Sequence, residues 1–245
     1  MLKIPFVRSL RAGLLGLCAL WLIAAPAARA ELRQYGGGWL MLAAVGSFEP
    51  VSPKLSRVRW WFDGQARFFQ QTDGLGQTIV RPGLGWALNS STSVWLGYGW
   101  IRDFDFFPNG SDRDEDRIWQ QLLWNGSFAK WSVQSRTRLE QRFVEGGDDV
   151  GWRLREFVKV VYPLIASERL RFAAYEEVFF NLNSTDWGAQ AGFDQNRLFL
   201  GLNVPLDADQ KIQAELGYLN RYAEPDDAAG GAMDHLISFN LLLNY

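Results

Sequence analysis

In this chain charge recurs at every second residue. Gln134, Arg136, Arg138, Glu140 and Arg142 follow one another two apart, and Arg153, Arg155 and Lys159 share one parity a little further on. A period of two is that of a β-strand, so each set projects from a single strand face. Reading each segment in the same way adds Arg59, Asp63, Gln65, Arg67, Arg81, Arg117, Gln121, Arg171, Tyr175, Glu177, Arg197, Asn203, Lys211, Glu215 and Arg221 to the charged face. Two chemistries fit this pattern. Rings of guanidinium and ammonium groups favour anions. On that reading Arg59, Arg67, Arg81, Arg117, Arg136, Arg138, Arg142, Arg153, Arg155, Lys159, Arg171 and Arg197 are candidate anion contacts. Alternatively, arginines and carboxylates fill an enclosed space and satisfy one another, with Asp63, Glu140, Glu177 and Glu215 as the internal partners. Sequence alone leaves both open.

Other chemistries find little footing. A nucleophilic hydroxyl needs a base within hydrogen-bond reach. The one histidine, His235, stands three residues from Ser238, which puts the two side chains on opposite faces of a strand. The expectation is therefore of a protein that is not an enzyme. Asp112-Arg-Asp-Glu-Asp116 offers oxygen ligands but lacks the spacing and glycine of an EF-hand loop, and reads as a solvated acidic loop. No cofactor and no metal are expected.

The elements that must position the charges are strands throughout. Eleven segments alternate: Trp39–Phe48, Val58–Phe69, Thr78–Leu88, Ser93–Arg102, Arg117–Phe128, Trp131–Val144, Trp152–Leu164, Leu170–Leu182, Gln195–Leu206, Lys211–Tyr222 and His235–Tyr245. Opposite each charged face runs a more apolar one, weakened on one segment by Ser135, Thr137 and Gln141 and interrupted by the charges of Glu156 and Glu176. In the last segment Ile237, Phe239, Leu241, Leu243 and Tyr245 form an unbroken apolar row ending on an aromatic. That is the pattern of a final transmembrane strand, apolar toward lipid with an aromatic at the interface. Phe239, Leu241, Leu243 and Tyr245 thus read as the signal that the barrel-assembly machinery recognises.

The connections alternate in length. Asn89–Thr92, Ala129–Lys130, Ile165–Glu168 and Asp207–Gln210 are tight, whereas Asp103–Asp116, Glu145–Val150, Ser184–Asp194 and Glu224–Asp234 are longer and rich in Asp, Gly and Asn. Short periplasmic turns and long outer loops produce this order. The expectation is an all-β, antiparallel up-and-down transmembrane barrel of ten to twelve strands. Arginine or lysine on its lipid side would cost roughly 2–4 kcal/mol each near the midplane, so the charged faces must turn inward. One count resists. Eleven alternating strands put the chain start on the outer side, and bacterial single-chain barrels have even strand numbers. Either Trp39–Phe48 is not an ordinary barrel strand or a further strand precedes it.

The N-terminus supplies the address. Lys3, Arg8 and Arg11 precede an apolar run from Gly13 to Ala25, followed by Ala28-Arg29-Ala30. This is a secretory signal with cleavage after Ala30, giving a signal peptide at 1–30 and a barrel domain at 31–245. The apolar run falls short of the roughly 20 residues a spanning helix needs. The lone cysteine, Cys18, follows bulky Leu17 within the apolar run, which argues against a lipoprotein signal, and cleavage would leave no thiol. Cleavage also removes four basic residues, leaving 21 basic against 27 acidic, a net charge near −6. Such a chain is no nucleic-acid binder by bulk charge. Twelve tryptophans and seventeen phenylalanines suit interfacial aromatic belts. The expected location is the outer membrane of a Gram-negative bacterium, among its lipid and lipopolysaccharide.

Short runs across the chain carry a family likeness. Arg81-Pro-Gly-Leu-Gly85, Arg117-Ile-Trp-Gln120, Arg138-Leu-Glu-Gln-Arg-Phe143, Trp152-Arg-Leu-Arg155, Tyr175-Glu-Glu-Val-Phe-Phe-Asn181, Phe193-Asp-Gln-Asn-Arg-Leu-Phe-Leu-Gly-Leu202 and Glu215-Leu-Gly-Tyr-Leu-Asn220 together resemble an uncharacterised bacterial barrel family, domain of unknown function 2490. The resemblance implies an outer-membrane barrel and no activity. From charge, the leading functional expectation is a porin-like passive channel or a binding barrel for small anionic solutes, similar in logic to porins that pass acidic oligosaccharides through basic lumens. A non-conducting structural or assembly barrel is the alternative, and a lipid-modifying enzyme a distant third.

Overall fold

The computed structural model describes residues 32–72, 74–106, 111–166, 169–224 and 231–245. The signal segment expected at 1–30 lies outside the described residues. Eleven strands follow: β1 (Arg33–Ser47), β2 (Val58–Phe69), β3 (Gly74–Ala87), β4 (Thr92–Phe106), β5 (Ser111–Phe128), β6 (Trp131–Val144), β7 (Gly151–Pro163), β8 (Arg171–Asn181), β9 (Gly192–Pro205), β10 (Ile212–Ala223) and β11 (Ala232–Asn244). Each pairs antiparallel with its sequence neighbour, and β1 pairs with β11 to close the barrel. All eleven sequence segments correspond to strands.

The closing pair resolves the strand count. β1 and β11 run parallel, from Arg33 beside Ala232 to Val45 beside Asn244. Alternating direction over an odd number of strands brings the last one back pointing the same way as the first. The first segment is therefore a full barrel strand but not an ordinary one, because it closes the barrel through a parallel pair; this is the first of the two alternatives drawn from the sequence. Beside this seam β1 is crowded by both neighbours, the β2 backbone and a β11 side chain. A Cβ on Gly37 would stand 2.1 Å from the Phe68 carbonyl oxygen and 2.9 Å from Leu236 Cδ2. At the other end the Tyr245 amide donates to the Val45 carbonyl at 2.8 Å, and the Ser47 amide donates to the Tyr245 carbonyl at 2.9 Å.

One end of the barrel carries the connections after β3, β5, β7 and β9 (the turn end). The other carries those after β4, β6, β8 and β10 (the loop end). The long-short order holds only in part. The loop-end connection between β4 and β5 is four residues, as short as the turn-end one between β3 and β4, and the six residues between β6 and β7 are fewer than the seven between β7 and β8. The β1–β2 connection, at the turn end, is ten residues and includes a short 3-10 turn at Pro53–Leu55, while β2 and β3 are joined at the loop end through Gln70–Thr72. The stretch expected as the loop Asp103–Asp116 is largely strand. β4 and β5 continue through it, with Asp103 opposite Arg113 and Phe106 opposite Ser111.

Alternation sorts the side chains. Leu40, Leu84, Leu96, Ile118, Leu200, Leu216, Ile237 and Phe239 are exposed on the outer face, while Ser238 and Asn240 of the last strand are buried inside. Glu156 and Glu176, the two outward exceptions, find local donors: Thr137 Oγ1 at 2.8 Å and Asn196 Nδ2 at 2.9 Å. The interior is not purely polar. Trp39, Ala173, Phe199, Leu219 and Leu236 form one buried apolar cluster, and Trp95, Trp119 and Leu123 form another. Trp119 lies where β4 has no side chain to offer: a Cβ on Gly97 would stand 2.1 Å from its Cζ2.

The seam yields a test. Gly37→Ala should destabilise the barrel by roughly 1–3 kcal/mol, the usual cost of overpacking, and lower the temperature at which the folded gel band converts to the unfolded one. An unchanged transition would show that the strands are free to part there.

Candidate functional site

Eleven strands about 4.8 Å apart, tilted roughly 40°, close a cylinder about 22 Å across between backbones. Two long inward side chains from opposite walls can therefore meet near the axis. Reach of this kind organises the interior into a packed charged layer and a cavity.

The layer occupies the loop-end half. Glu140, wholly buried, accepts from Arg153 Nη2 at 2.7 Å and Arg155 Nη1 at 2.5 Å, with Arg117 Nη1 at 3.8 Å. Glu115 takes two arginines, Arg117 Nε at 2.6 Å and Arg142 Nε at 2.6 Å. Glu177 accepts from Arg136 and Arg155 at 2.6 Å each and faces Arg197 at 3.5 Å. Outside the layer, on the cavity side, Asp63 holds Arg81 Nη2 at 2.7 Å, and Glu215 holds Lys159 at 2.5 Å, from β10 across to β7. The four expected internal partners, Asp63, Glu140, Glu177 and Glu215, are thus all engaged by inward cations.

Arg138 departs from expectation. Its nearest approach to Glu140 is 3.9 Å. Instead Nε and Nη2 donate to Gln121 Oε1 at 2.9 and 2.6 Å, and the guanidinium lies 4.3 Å over the Trp119 ring. Arg67 likewise rests on an aromatic, 3.5 Å over Trp39, and donates to Gln65 Oε1 at 2.6 Å and to Gln77. Arg171 stays at the turn end, donating to Asn203 Oδ1 at 2.8 Å, and Arg59 is half-buried near the same end. Lys211, expected inward, is exposed, because β10 begins only at Ile212.

Three internal carboxylates escaped the sequence reading: Asp103, Glu115 and Asp234, the last paired with Arg221. Each falls in a stretch taken as loop. Their parity was nonetheless visible, since Glu115, Arg117 and Trp119 are two apart. The acidic run is engaged by arginine: Arg102 holds Asp112 at 2.8 Å and Asp114 at 3.1 Å. His235 faces outward, its Nδ1 2.5 Å from the Tyr218 hydroxyl, while Ser238 is buried inside the barrel.

Below the layer lies a cavity of about 670 Å³ that reaches the turn end. Its lining includes Arg81, Arg136, Arg155, Lys159 and Arg197 against Asp63, Glu177 and Glu215, a surplus of two positive charges. Arg117, Arg138, Arg142 and Arg153 stand outside this lining, in or beside the layer. The sequence placed all of these arginines on one face; depth along the strand divides them.

Above the layer two loops are tied together. The Asp186 carboxylate accepts from the Asp148 and Asp149 amides at 2.8 and 3.1 Å, and the Asp186 amide donates back to Asp149 Oδ2 at 2.9 Å. Trp187 Nε1 donates to the Asp149 carbonyl at 2.9 Å, and its ring lies 4.8 Å from the Arg142 guanidinium of the layer.

Comparison with known proteins gives a family but no chemistry. The model of a family described as protein of unknown function (DUF2490) matches residues 36–229. An uncharacterized protein of Methylorubrum extorquens is 38% identical over 232 residues, covering 94% of this chain and 96% of that protein. No solved structure matches the chain.

Two tests follow from this geometry. Glu140→Ala should cost roughly 3–5 kcal/mol, the range for stripping one partner from a buried pair, read from denaturant unfolding in micelles. In double-mutant cycles with Glu140→Ala, Arg155→Ala should couple more strongly than Arg138→Ala, because its guanidinium is at 2.5 rather than 3.9 Å; equal coupling would overturn that ranking. In the loops, the backbone amides of Asp148 and Asp149 depress the Asp186 carboxyl below its ordinary value. A depressed pKa means the tie is fully present above the unfolded aspartate value of about 3.9 and is lost as pH falls through the lower folded value. The Asp148 and Asp149 amide proton resonances should stay constant from neutral pH to about 4 and shift only below it, and in Asp186→Asn they should not follow this titration.

Proposed function

Since the chain belongs to the family of unknown function DUF2490, no activity follows from its membership, and we propose from its geometry an outer-membrane barrel that binds a small anion within its lumen. The cavity carries this reading. It has a cationic surplus, opens at the turn end, and stops at a layer whose charged side chains are almost wholly out of contact with solvent. A through-going aqueous pore would wet the groups that line it. Glu115, Arg117, Glu140 and Arg153 are 2, 6, 0 and 6% exposed. Of the two uses that a basic lumen suggests, the layer therefore favours holding an anion over passing one. The cavity volume lies within the 300–1,000 Å³ typical of small-molecule sites.

Membrane placement rests on the outer surface. An apolar band encircles the barrel, and aromatics mark its edges. Trp131 and Tyr162 pack at 4.7 Å near the turn end, and Phe143 and Trp152 sit exposed near the loop end. Interfacial aromatics flanking an apolar band are the arrangement of outer-membrane barrels. In this setting the signal segment delivers the chain across the inner membrane, the Tyr245 strand is offered to the assembly machinery, the turn end faces the periplasm, and the loops meet lipopolysaccharide. The cavity then takes its anion from the periplasmic side. A purely structural barrel shares the closed layer but gives no reason for a charged basin of this size.

Fractionation should recover the protein in the outer membrane with heat-modifiable mobility. In planar bilayers the folded barrel should show no steady conductance, while small carboxylates should change the fluorescence of Trp39 and Trp61, which border the cavity. Anion-selective conductance would replace the binding barrel with a channel. Silence in both assays would leave the structural barrel, and recovery from the soluble periplasm would remove the membrane altogether.

A further inference from the structure

We infer that the anion taken by the cavity is amphiphilic: a single carboxylate or phosphate head on an apolar chain or ring. This rests on the binding-barrel reading and narrows it. In the closed strand order β6 and β7 lie five positions from β1, one in each direction, so they are its opposite wall. The two walls differ in chemistry. β1 contributes Trp39, Met41, Ala43 and Val45 to the lining and no charge. β6 and β7 contribute Arg136, Arg155 and Lys159, set among Val133, Phe157 and Val161. A ligand spanning the cavity therefore meets an uncharged, mostly apolar strand on one side and, on the other, cationic donors set among apolar side chains.

This asymmetry selects against hydrophilic anions. A polyhydroxylated or multiply charged solute would press hydroxyls or carboxylates against Met41, Ala43 and Val45, which offer no hydrogen-bond donor. Polar groups desolvated without partners are costly to bury. An apolar body gains there instead, in proportion to the area it covers. The cationic wall also limits the head. Arg136 Nη2 is 2.6 Å from Glu177, and Lys159 is 2.5 Å from Glu215. A surplus of two positive charges around the cavity suits one anionic head, not a polyanion.

The test is calorimetric titration of the full barrel in lipid nanodiscs, with empty nanodiscs subtracted. The probes are 1-naphthoate, 1-naphthyl phosphate, citrate and the uncharged 1-naphthalenemethanol. At least one of the two naphthyl anions should bind about tenfold or more tighter than both citrate and the alcohol, and the tighter of the pair identifies the head group. Met41→Gln or the near-isosteric Val45→Thr, each checked for heat-modifiable mobility, should weaken the naphthyl anions and leave citrate unchanged. Arg136→Gln should weaken every anion. Citrate binding as tightly as the naphthyl anions, with both lost in Arg136→Gln, would overturn the amphiphilic ligand while leaving anion binding intact. The alcohol binding as well as the acid, or no anion binding at all, would overturn both readings.

Discussion

Everything in this molecule depends on how guanidinium groups are neutralised inside a closed wall. Removing an ion from water costs several kcal/mol even after relaxation, and attraction to a partner recovers this only when the geometry is good. The barrel meets that condition by sharing. Glu140 serves Arg153 and Arg155, Glu115 serves Arg117 and Arg142, and Glu177 serves Arg136 and Arg155 with Arg197 nearby. Bidentate contact suits this role, because the planar guanidinium fork matches a carboxylate edge. Carboxylates alone do not suffice, and aromatic faces take up the remainder. Arg138 lies on Trp119, Arg67 and Arg197 lie on Trp39, and Arg197 also covers Phe179 at 4.4 Å. A cation over a ring face is attracted by its quadrupole, more so where water is excluded. The inward tryptophans and phenylalanines are thus part of the electrostatics as well as of the packing.

The same constraint bears on closure. A parallel ladder is slightly weaker per residue than an antiparallel one, and the β1–β11 seam is the one parallel pair in the barrel. Its support comes from within. Trp39 of β1 sits in the buried cluster with Leu236 of β11, and carries two arginines on its face. Gly37 lets the first strand approach β2 and β11 closely, and Tyr245 ties the last strand to the end of the first. An odd strand number is therefore compatible with closure because interior packing bridges the junction that alternation leaves parallel.

How much of this was legible beforehand follows from which interactions are periodic. Strand identity and inward or outward facing depend on a period of two, and Arg136, Arg138, Glu140 and Arg142 announce both. Glu115 and Asp103 were missed because acidic residues and glycines suggested a loop where the strands continue, a local signal overridden by ladder pairing between β4 and β5. The parallel seam was invisible, since no residue pattern in one strand encodes its partner's direction. Which strand supplies each ion-pair partner was also beyond reach. Arg138 and Glu140 are close in sequence and on one face, yet Glu140's short contacts are with Arg153 and Arg155 on the neighbouring strand. The cavity has no sequence signature at all, because it depends on where along each strand the long side chains run out.

Depth, finally, is what separates the packed layer from the cavity in this lumen. At the loop end the inward charges are taken up by carboxylates, glutamines and aromatic faces, and the layer is packed. Toward the turn end the inward residues become small or apolar, with Ala43, Val45, Leu123 and Val161 among those that line the cavity. Side-chain volume falls while the backbone diameter does not, so space opens. Arg155 and Glu177 stand at the boundary, sharing one contact within the layer and lining the cavity on its other side. A group bound in the cavity would meet guanidiniums already fixed by the layer, whose orientation is settled before the ligand arrives. Preorganised donors of this kind lose little freedom on binding, and on the proposed binding-barrel reading the rigidity of the layer is what would hold an anion in place.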